Sequence, residues 1–191
     1  LSLSCDHCLR LNDLFYVSVS DTIGGGHPGE RGNRSRNVHY SVPLQNWLLS
    51  ANAGNFEHLQ TAAGAHGPIV YSGDSRNADL SLGRLLYRDS LRKTSGSLRL
   101  WRRESASFVD NVELSQQRRR TAGWELALSH RELFGDATVD ASLAWRRGTG
   151  AADSLRAPEE ASGTGTSRLQ ILRADAFLSL PFRVGAQSWR Y

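Results

Sequence analysis

The stretch Thr138-Val139-Asp140-Ala141-Ser142-Leu143-Ala144-Trp145-Arg146 decides the fold class. Side chains alternate sides along an extended chain. Val139, Ala141, Leu143 and Trp145 therefore share one face, while Thr138, Asp140, Ser142, Ala144 and Arg146 share the other. The same period of two recurs through the chain. Phe15, Val17 and Val19 align within Asp13 to Ser20, and Val38, Tyr40 and Val42 align in the stretch from Asn37. Trp47, Leu49 and Ala51 continue the pattern. Trp124, Leu126 and Leu128 oppose Gly123, Glu125, Ala127 and Ser129; Leu172, Ala174, Ala176, Leu178 and Leu180 oppose Arg173, Asp175, Phe177 and Ser179. Period two dominates over the helical 3.6, so the chain is all-β.

These runs are about 8 to 12 residues long, and a barrel strand crossing a bilayer needs about 9 to 11. A soluble sandwich shows the same alternation with its apolar face turned inward, so periodicity alone leaves both architectures open. The connections favour the barrel. Asp21 to Arg36 is rich in Gly, Arg and Asn and contains Gly24-Gly25-Gly26-His27-Pro28-Gly29. Gly148 to Ser167 is a second long tract, whereas Pro43-Leu44-Gln45-Asn46 and Phe134-Gly135-Asp136 are short links. Long outer loops and short inner turns belong to outer-membrane barrels, and compact soluble domains rarely carry loops beyond about 12 to 15 residues. The stretch from Tyr71 to Arg120 admits more than one strand count, so the side of each later loop stays open.

Of the 191 residues, 39% are hydrophobic and 22% charged, an ordinary folded composition. No apolar run approaches the roughly 18 residues of a membrane-spanning helix, which excludes a helical membrane protein but not a barrel. No signal peptide opens the chain. A start at Leu1 without any methionine is read as a piece of a longer protein. The 23 basic and 19 acidic residues are interleaved, and Lys93 is the single lysine. No nucleic-acid partner is expected; arginines lining a polar lumen fit as well. Within Arg118-Arg119-Arg120, one or two side chains are expected in that lumen and one at the membrane rim.

Chemistry-bearing motifs are missing. No GxGxxG, P-loop, HExxH or GxSxG occurs. Cys5-Asp6-His7-Cys8 lacks a second ligand pair, and a zinc site needs about four ligands. The two cysteines are read as incidental turn residues, with no metal. Glu159-Glu160 are adjacent, so they point apart and are poorly placed as an acid/base pair. His39 and His130 coexist with many serines, but nothing orders them into a triad. No catalytic residue, no cofactor and no enzymatic activity are expected.

Five segments resemble the two-partner-secretion transporters of the haemolysin secretion/activation family. Asp6-His7-Cys8-Leu9-Arg10-Leu11-Asn12-Asp13 is similar to the family's Asp-Asn-Pro-Leu-Gly-Leu-Asn-Asp, departing from it at His7, Cys8 and Arg10. Tyr40-Ser41-Val42-Pro43-Leu44 with Trp47 follows, then Leu85-Leu86-Tyr87-Arg88-Asp89 leading through Arg92-Lys93-Thr94-Ser95. Gln117 to Trp124 and Arg147-Gly148-Thr149-Gly150, with the tract through Arg168, complete the series. The nearest resemblance within the family is to exporters of filamentous-haemagglutinin-type adhesins.

The resemblance implies an antiparallel transmembrane β-barrel in the Gram-negative outer membrane. Residues 1–191 would be roughly the first half of it, about eight strands. A plug helix and two periplasmic POTRA domains would precede it. A pore loop with a Val-Arg-Gly-Phe/Tyr motif and the closing strands would follow; Phe182-Arg183-Val184-Gly185 is not that motif. The implied function is a pore that passes an unfolded, large exoprotein of adhesin or haemolysin type, the TpsA-type partner, to the cell surface. Folding of that partner outside would give direction without nucleotide. Outer-membrane lipid is the other expected partner. Lumen-facing candidates are Glu125, Asp140, Ser142 and Arg146; lipid-facing candidates are Trp124, Leu126, Val139, Leu143 and Trp145. The alternative is a soluble β-sandwich or adhesin-like binding module, which would bury Trp124, Trp145 and Leu143 in protein.

Overall fold

A computed structural model describes residues 1–22, 31–65, 67–184 and 187–190. The Gly24-to-Gly29 tract and Gly185 lie outside the described residues. In chain order the strands are β1 (Ser2–Asp6), β2 (Leu14–Asp21), β3 (Arg31–Leu44), β4 (Trp47–Gly64), β5 (Gly67–Arg88), β6 (Arg92–Val109), the two-residue β7 (Val112–Glu113), β8 (Arg119–Phe134), β9 (Ala137–Thr149), β10 (Gln170–Ser179), β11 (Pro181–Val184) and β12 (Gln187–Arg190). One antiparallel sheet follows the order β1-β2-β3-β4-β5-β6-β8-β9-β10, with β7 branching from β6 and β11-β12 forming a separate pair. Every step along that path joins neighbours in sequence except β6 to β8, which passes over the two-residue β7. Among the described residues, β1 and β10 are open edges.

The path holds nine strands rather than eight, and the ambiguous stretch from Tyr71 resolves into the long β5 and β6, then β8. Strand length also exceeds the expectation: β4, β5 and β6 run for 18, 22 and 18 residues. The cause is visible in the residues. Beyond Ala53, Ala78 and Leu100 polar residues such as Asn55, Glu57 and His58, Asp74, Arg76 and Asn77, and Arg102, Arg103 and Glu104 fall on both faces, so the hydrophobic alternation is lost while backbone pairing with both neighbours continues to satisfy the N–H and C=O groups. For the same reason the polar residues just after Gly32, from Asn33 to Arg36, belong to β3 rather than to a loop.

Among the described residues the only other sheet is the short β11–β12 pair, too small to cover a face of the large one, which overturns the sandwich. The chain exposes 13960 Å², against about 9,000 Å² for a compact soluble chain of its mass. Leu143 and Trp145 stay 46% and 42% exposed on a single layer. Large apolar side chains bared on one face of a sheet require another apolar phase to cover them.

The two rims differ. At one end sit the two-residue turns Gln45-Asn46 and Gly135-Asp136 and the three-residue turn Asp89-Ser90-Leu91. At the other sit the tract 110–118, which holds β7 and a 3-10 turn (Ser115–Gln117), and the twenty-residue tract 150–169 with its 3-10 turn (Pro158–Ser162). The β1–β2 turn lies at the short-turn rim. It needs left-handed backbone at His7 (φ 60°), Arg10 (φ 61°) and Asn12 (φ 59°). The family pattern has Asn, Gly and Asn at these places, residues that adopt this region at least cost. Arg10→Gly is therefore expected to stabilise the turn by about 0.5–1 kcal/mol, read as a raised unfolding midpoint; no change or a loss would contradict the strain at Arg10. Cys5 and Cys8 are joined in a disulfide, their Cα atoms 5.8 Å apart. That corrects the incidental reading: the fold-back of the chain after β1 brings two cysteines three residues apart into bonding distance.

Asp13 closes the same turn. Its side chain is 2% exposed, and its carboxylate accepts the N–H of Leu9 at 3.1 and 3.2 Å and of Leu11 at 3.2 Å. Burial works against the charge, but these N–H groups and the Tyr40 hydroxyl outweigh it and hold the Asp13 carboxyl below its usual range. Asp89 repeats the device: the Tyr87 hydroxyl and the N–H groups of Leu91 and Arg92 keep its carboxyl low. A folded-state pKa below the unfolded one stabilises above the unfolded value, and the benefit is lost as pH falls through the folded one. Protection of the Leu9, Leu11 and Leu91 amides from hydrogen exchange, corrected for intrinsic rates, should thus be flat from pH 7 to about 5 and fall below about 4. Protection that rises on acidification would contradict these caps.

Candidate functional site

Cross-strand register sorts the side chains. Arg146 lies opposite Glu125, Ser142 opposite Ser129 and Asp140 opposite Arg131. Directly opposed residues share a face, so all four lumen candidates lie on one face. Arg99 opposes Glu125 on the next strand, and Trp101 opposes Asp79 beyond that. Asp79 opposes Asn52, and Asn52 opposes His39. This polar row crosses β3 to β9.

The row is knit together. His39 Nδ1 and Asn52 Oδ1 are 2.6 Å apart, and Asn52 Nδ2 donates to Asp79 Oδ2 at 2.8 Å. Arg99 donates to Asp79 Oδ1 at 2.6 Å. Arg146 approaches Glu125 at 3.9 Å and stacks over the Trp101 ring at 4.3 Å. Trp101 is 6% exposed. Towards the short-turn rim, Arg131 donates to Asp140 Oδ1 at 2.6 Å and Ser142 Oγ to Asp175 Oδ2 at 3.2 Å. Asp140 and Ser142 therefore belong to a second level of the same face.

Gly123 sits beneath Trp101. A Cβ there would collide with the Arg147 carbonyl oxygen and come within 2.8 Å of Trp101 Cζ2. The obstructing carbonyl is backbone of β9, which has little room to yield. Gly123→Ala is expected to destabilise by about 1–2 kcal/mol, measured as a drop in the thermal unfolding midpoint of the full-length protein. An unchanged transition would show that the Trp101 packing is looser than described.

The opposite face carries the lipid candidates. Leu126 opposes Trp145, Leu128 opposes Leu143 and Glu132 opposes Val139. The Trp124 and Trp145 rings meet edge-on with centroids 4.9 Å apart. Such a pair contributes about 0.5–1.5 kcal/mol beyond its area.

The arginine triplet separates: Arg118 pairs with Glu113 at 3.6 Å, Arg119 with Glu159 and Arg120 with Glu104 at 3.1 Å. Arg119 opposes Ser105 on the polar face, whereas Arg120 opposes Glu104 on the other. The adjacent Glu159 and Glu160 also go apart. Glu160 accepts the Ser167 N–H at 2.9 Å and its hydroxyl at 3.1 Å, pinning the long tract against itself. His39 and His130 lie on opposite faces, and among the described residues no serine hydroxyl bonds to either. His39 was legible on the polar side of the alternation with Val38, Tyr40 and Val42, but Asn52, Asp79, Arg99 and Trp101 were not singled out. For Asp79, Arg99 and Trp101 the signal was the alternation in β5 and β6, hidden because the strand boundaries there were undetermined.

A family model described as haemolysin secretion/activation protein ShlB/FhaC/HecB matches residues 1–191. The chain belongs to this haemolysin secretion/activation family. It is 30% identical over 191 residues to the outer membrane transporter CdiB-2 of Burkholderia pseudomallei (strain 1026b), covering all of this chain and 32% of that protein. CdiB from Acinetobacter baumannii superposes with a TM-score of 0.76 at 28% identity, over 98% of this chain and 32% of that one. CdiB from Escherichia coli gives a TM-score of 0.82 at 19% identity, over 99% and 35%, a likeness of fold alone. The chain spans about a third of the length of the relatives it matches. The single open sheet is thus a run of adjacent strands of an outer-membrane β-barrel.

Proposed function

We propose that the full protein is a two-partner-secretion transporter whose barrel passes a large, unfolded exoprotein of adhesin or haemolysin type to the cell surface. What supports this most is one contrast in a family member: a hydrogen-bonded polar face from His39 to Arg146 backs onto an uncovered apolar face from Trp124 to Leu178. In a closed barrel every backbone group is paired, as a lipid setting demands, and the polar face encloses water. Glu125 and Arg146 then line the pore in its upper part, Asp140 and Ser142 nearer the short-turn rim, and Trp124, Leu126, Val139, Leu143 and Trp145 meet lipid. The short-turn rim faces the periplasm and the long-loop rim the outside. In this reading residues 1–191 form the first part of the barrel, with POTRA domains before them and closing strands after them. The chemistry asked of the protein is passage, not bond-making.

The test is loss of function in the native cell. Deleting the parent gene should leave the exoprotein degraded in the periplasm and absent from the surface, and restoring the gene should return it. Surface exoprotein undiminished in the deletion strain would contradict the transport role.

A further inference from the structure

The apolar face ends in arginine at the long-loop rim. On β3 the next position on that face after Val38 is Arg36; on β5 Ala78 is followed by Arg76, and on β6 Leu100 by Arg102. On β8 Ala122 is followed by Arg120, and on β9 Trp145 by Arg147. Register aligns three of them across the sheet: Arg36 opposes Asn55, Asn55 opposes Arg76, Arg76 opposes Glu104 and Glu104 opposes Arg120, while Arg102, opposite Ala122, and Arg147, opposite Trp124, lie nearer the apolar band. The carboxylates hold the guanidinium groups in place rather than cancel them. Asp74 meets Arg76 at 3.0 Å, and Glu104 serves both Arg102 and Arg120. Each guanidinium has five N–H donors, so most remain available; the Arg76 side chain is two-thirds exposed. Arg36 forms no ion pair among the described residues.

The other end of the band is different. Leu44, Trp47, Thr94 and His130 occupy the equivalent positions. Of the arginines there, Arg84 lies over the Trp47 ring at 4.8 Å and Arg92 pairs with Glu132 at 2.6 Å. Among the described strands, arginine thus follows the apolar band on β3, β5, β6, β8 and β9 at the long-loop rim, but on β5 alone, as Arg84, at this one.

We infer that the Arg36–Arg76–Arg102–Arg120–Arg147 belt is a binding surface for phosphorylated headgroups of the outer-leaflet lipid surrounding the barrel. The inference rests on the proposed lipid contact of the apolar face. The guanidinium fork matches phosphate in a bidentate manner, and the belt begins one outward position above the hydrocarbon-facing residues, where headgroup phosphates lie. A phosphorylated lipid is favoured over free phosphate because the sites form a line along the edge of an apolar surface that acyl chains would cover.

The experiment uses full-length protein in neutral detergent, titrated with a bisphosphorylated glycolipid or with its dephosphorylated form and read by native mass spectrometry. Wild type should retain the phosphorylated lipid and lose it on dephosphorylation, while millimolar inorganic phosphate fails to compete. Arg36→Gln with Arg76→Gln should weaken retention roughly tenfold, and Arg36→Gln alone, which strands no carboxylate, severalfold. Arg103→Gln, on the polar face, should leave it unchanged. Equal retention by the Arg36 variants and wild type, or displacement by inorganic phosphate, overturns the belt. Failure of the facing itself is read separately, from water and lipid accessibility at positions 142 and 143 of the same protein.

Discussion

Leu143→Arg is expected to block assembly of the full-length protein into the outer membrane, while Ser142→Arg leaves assembly nearly intact. The two positions are adjacent, so chain location, strand propensity and loop geometry are matched; only the face differs. Leu143 opposes Leu128 on one side and Ala174 on the other, in the middle of the β9 apolar run from Val139 to Trp145. An arginine at the bilayer midplane costs about 2–4 kcal/mol. At Ser142 the new guanidinium lies beside Asp175, which already accepts the Ser142 hydroxyl. Heat-modifiable gel mobility of membrane fractions reads the outcome. Comparable loss at both positions would remove the assignment of faces.

The second large effect is on the polar row. Asp79 is 8% exposed at its side chain and accepts from both Asn52 and Arg99. Asp79→Ala leaves the two donors without their acceptor. Removing one partner of a buried pair costs about 3–5 kcal/mol; because the Arg99 side chain is 40% exposed and water can reach it, about 2–3 kcal/mol is expected. Asp79→Asn retains one acceptor and should cost markedly less. The readout is the denaturant midpoint of the refolded barrel, and a wild-type midpoint in Asp79→Ala would show that the ladder carries no weight.

What was legible in the sequence was alternation wherever it was amphipathic. Val139 to Trp145 and Trp124 to Leu128 were readable because apolar residues fall on one side only. The rows through Asp74, Arg76, Arg102 and Glu104 were not, because polar residues on both faces erase the hydrophobic period while the backbone still pairs. The placement of Glu125 against Arg146 needed register, which is fixed by turns such as Gln45-Asn46 and Gly135-Asp136 and by the packing of neighbouring strands. The family segment at Asp6 to Asp13 was legible as a resemblance, yet its physical basis was not: left-handed backbone at His7, Arg10 and Asn12, closed by Asp13. Cys5 and Cys8 were read as incidental turn residues because spacing alone does not show that the turn brings them together. In the proposed reading the sheet continues into a closed pore, and that step rests on family membership, since no residue within an open sheet encodes closure.

The most direct measurement is spin-label accessibility in full-length protein reconstituted in lipid, with single cysteines placed at Ser142, Leu143, Glu125 and Leu126 in a Cys5→Ser, Cys8→Ser background. Labels at 142 and 125 should collide mainly with a water-soluble nickel chelate, and labels at 143 and 126 mainly with dissolved oxygen in the lipid phase. The reverse pattern, or water access at all four positions, would contradict a lipid-embedded barrel whose polar face encloses the pore.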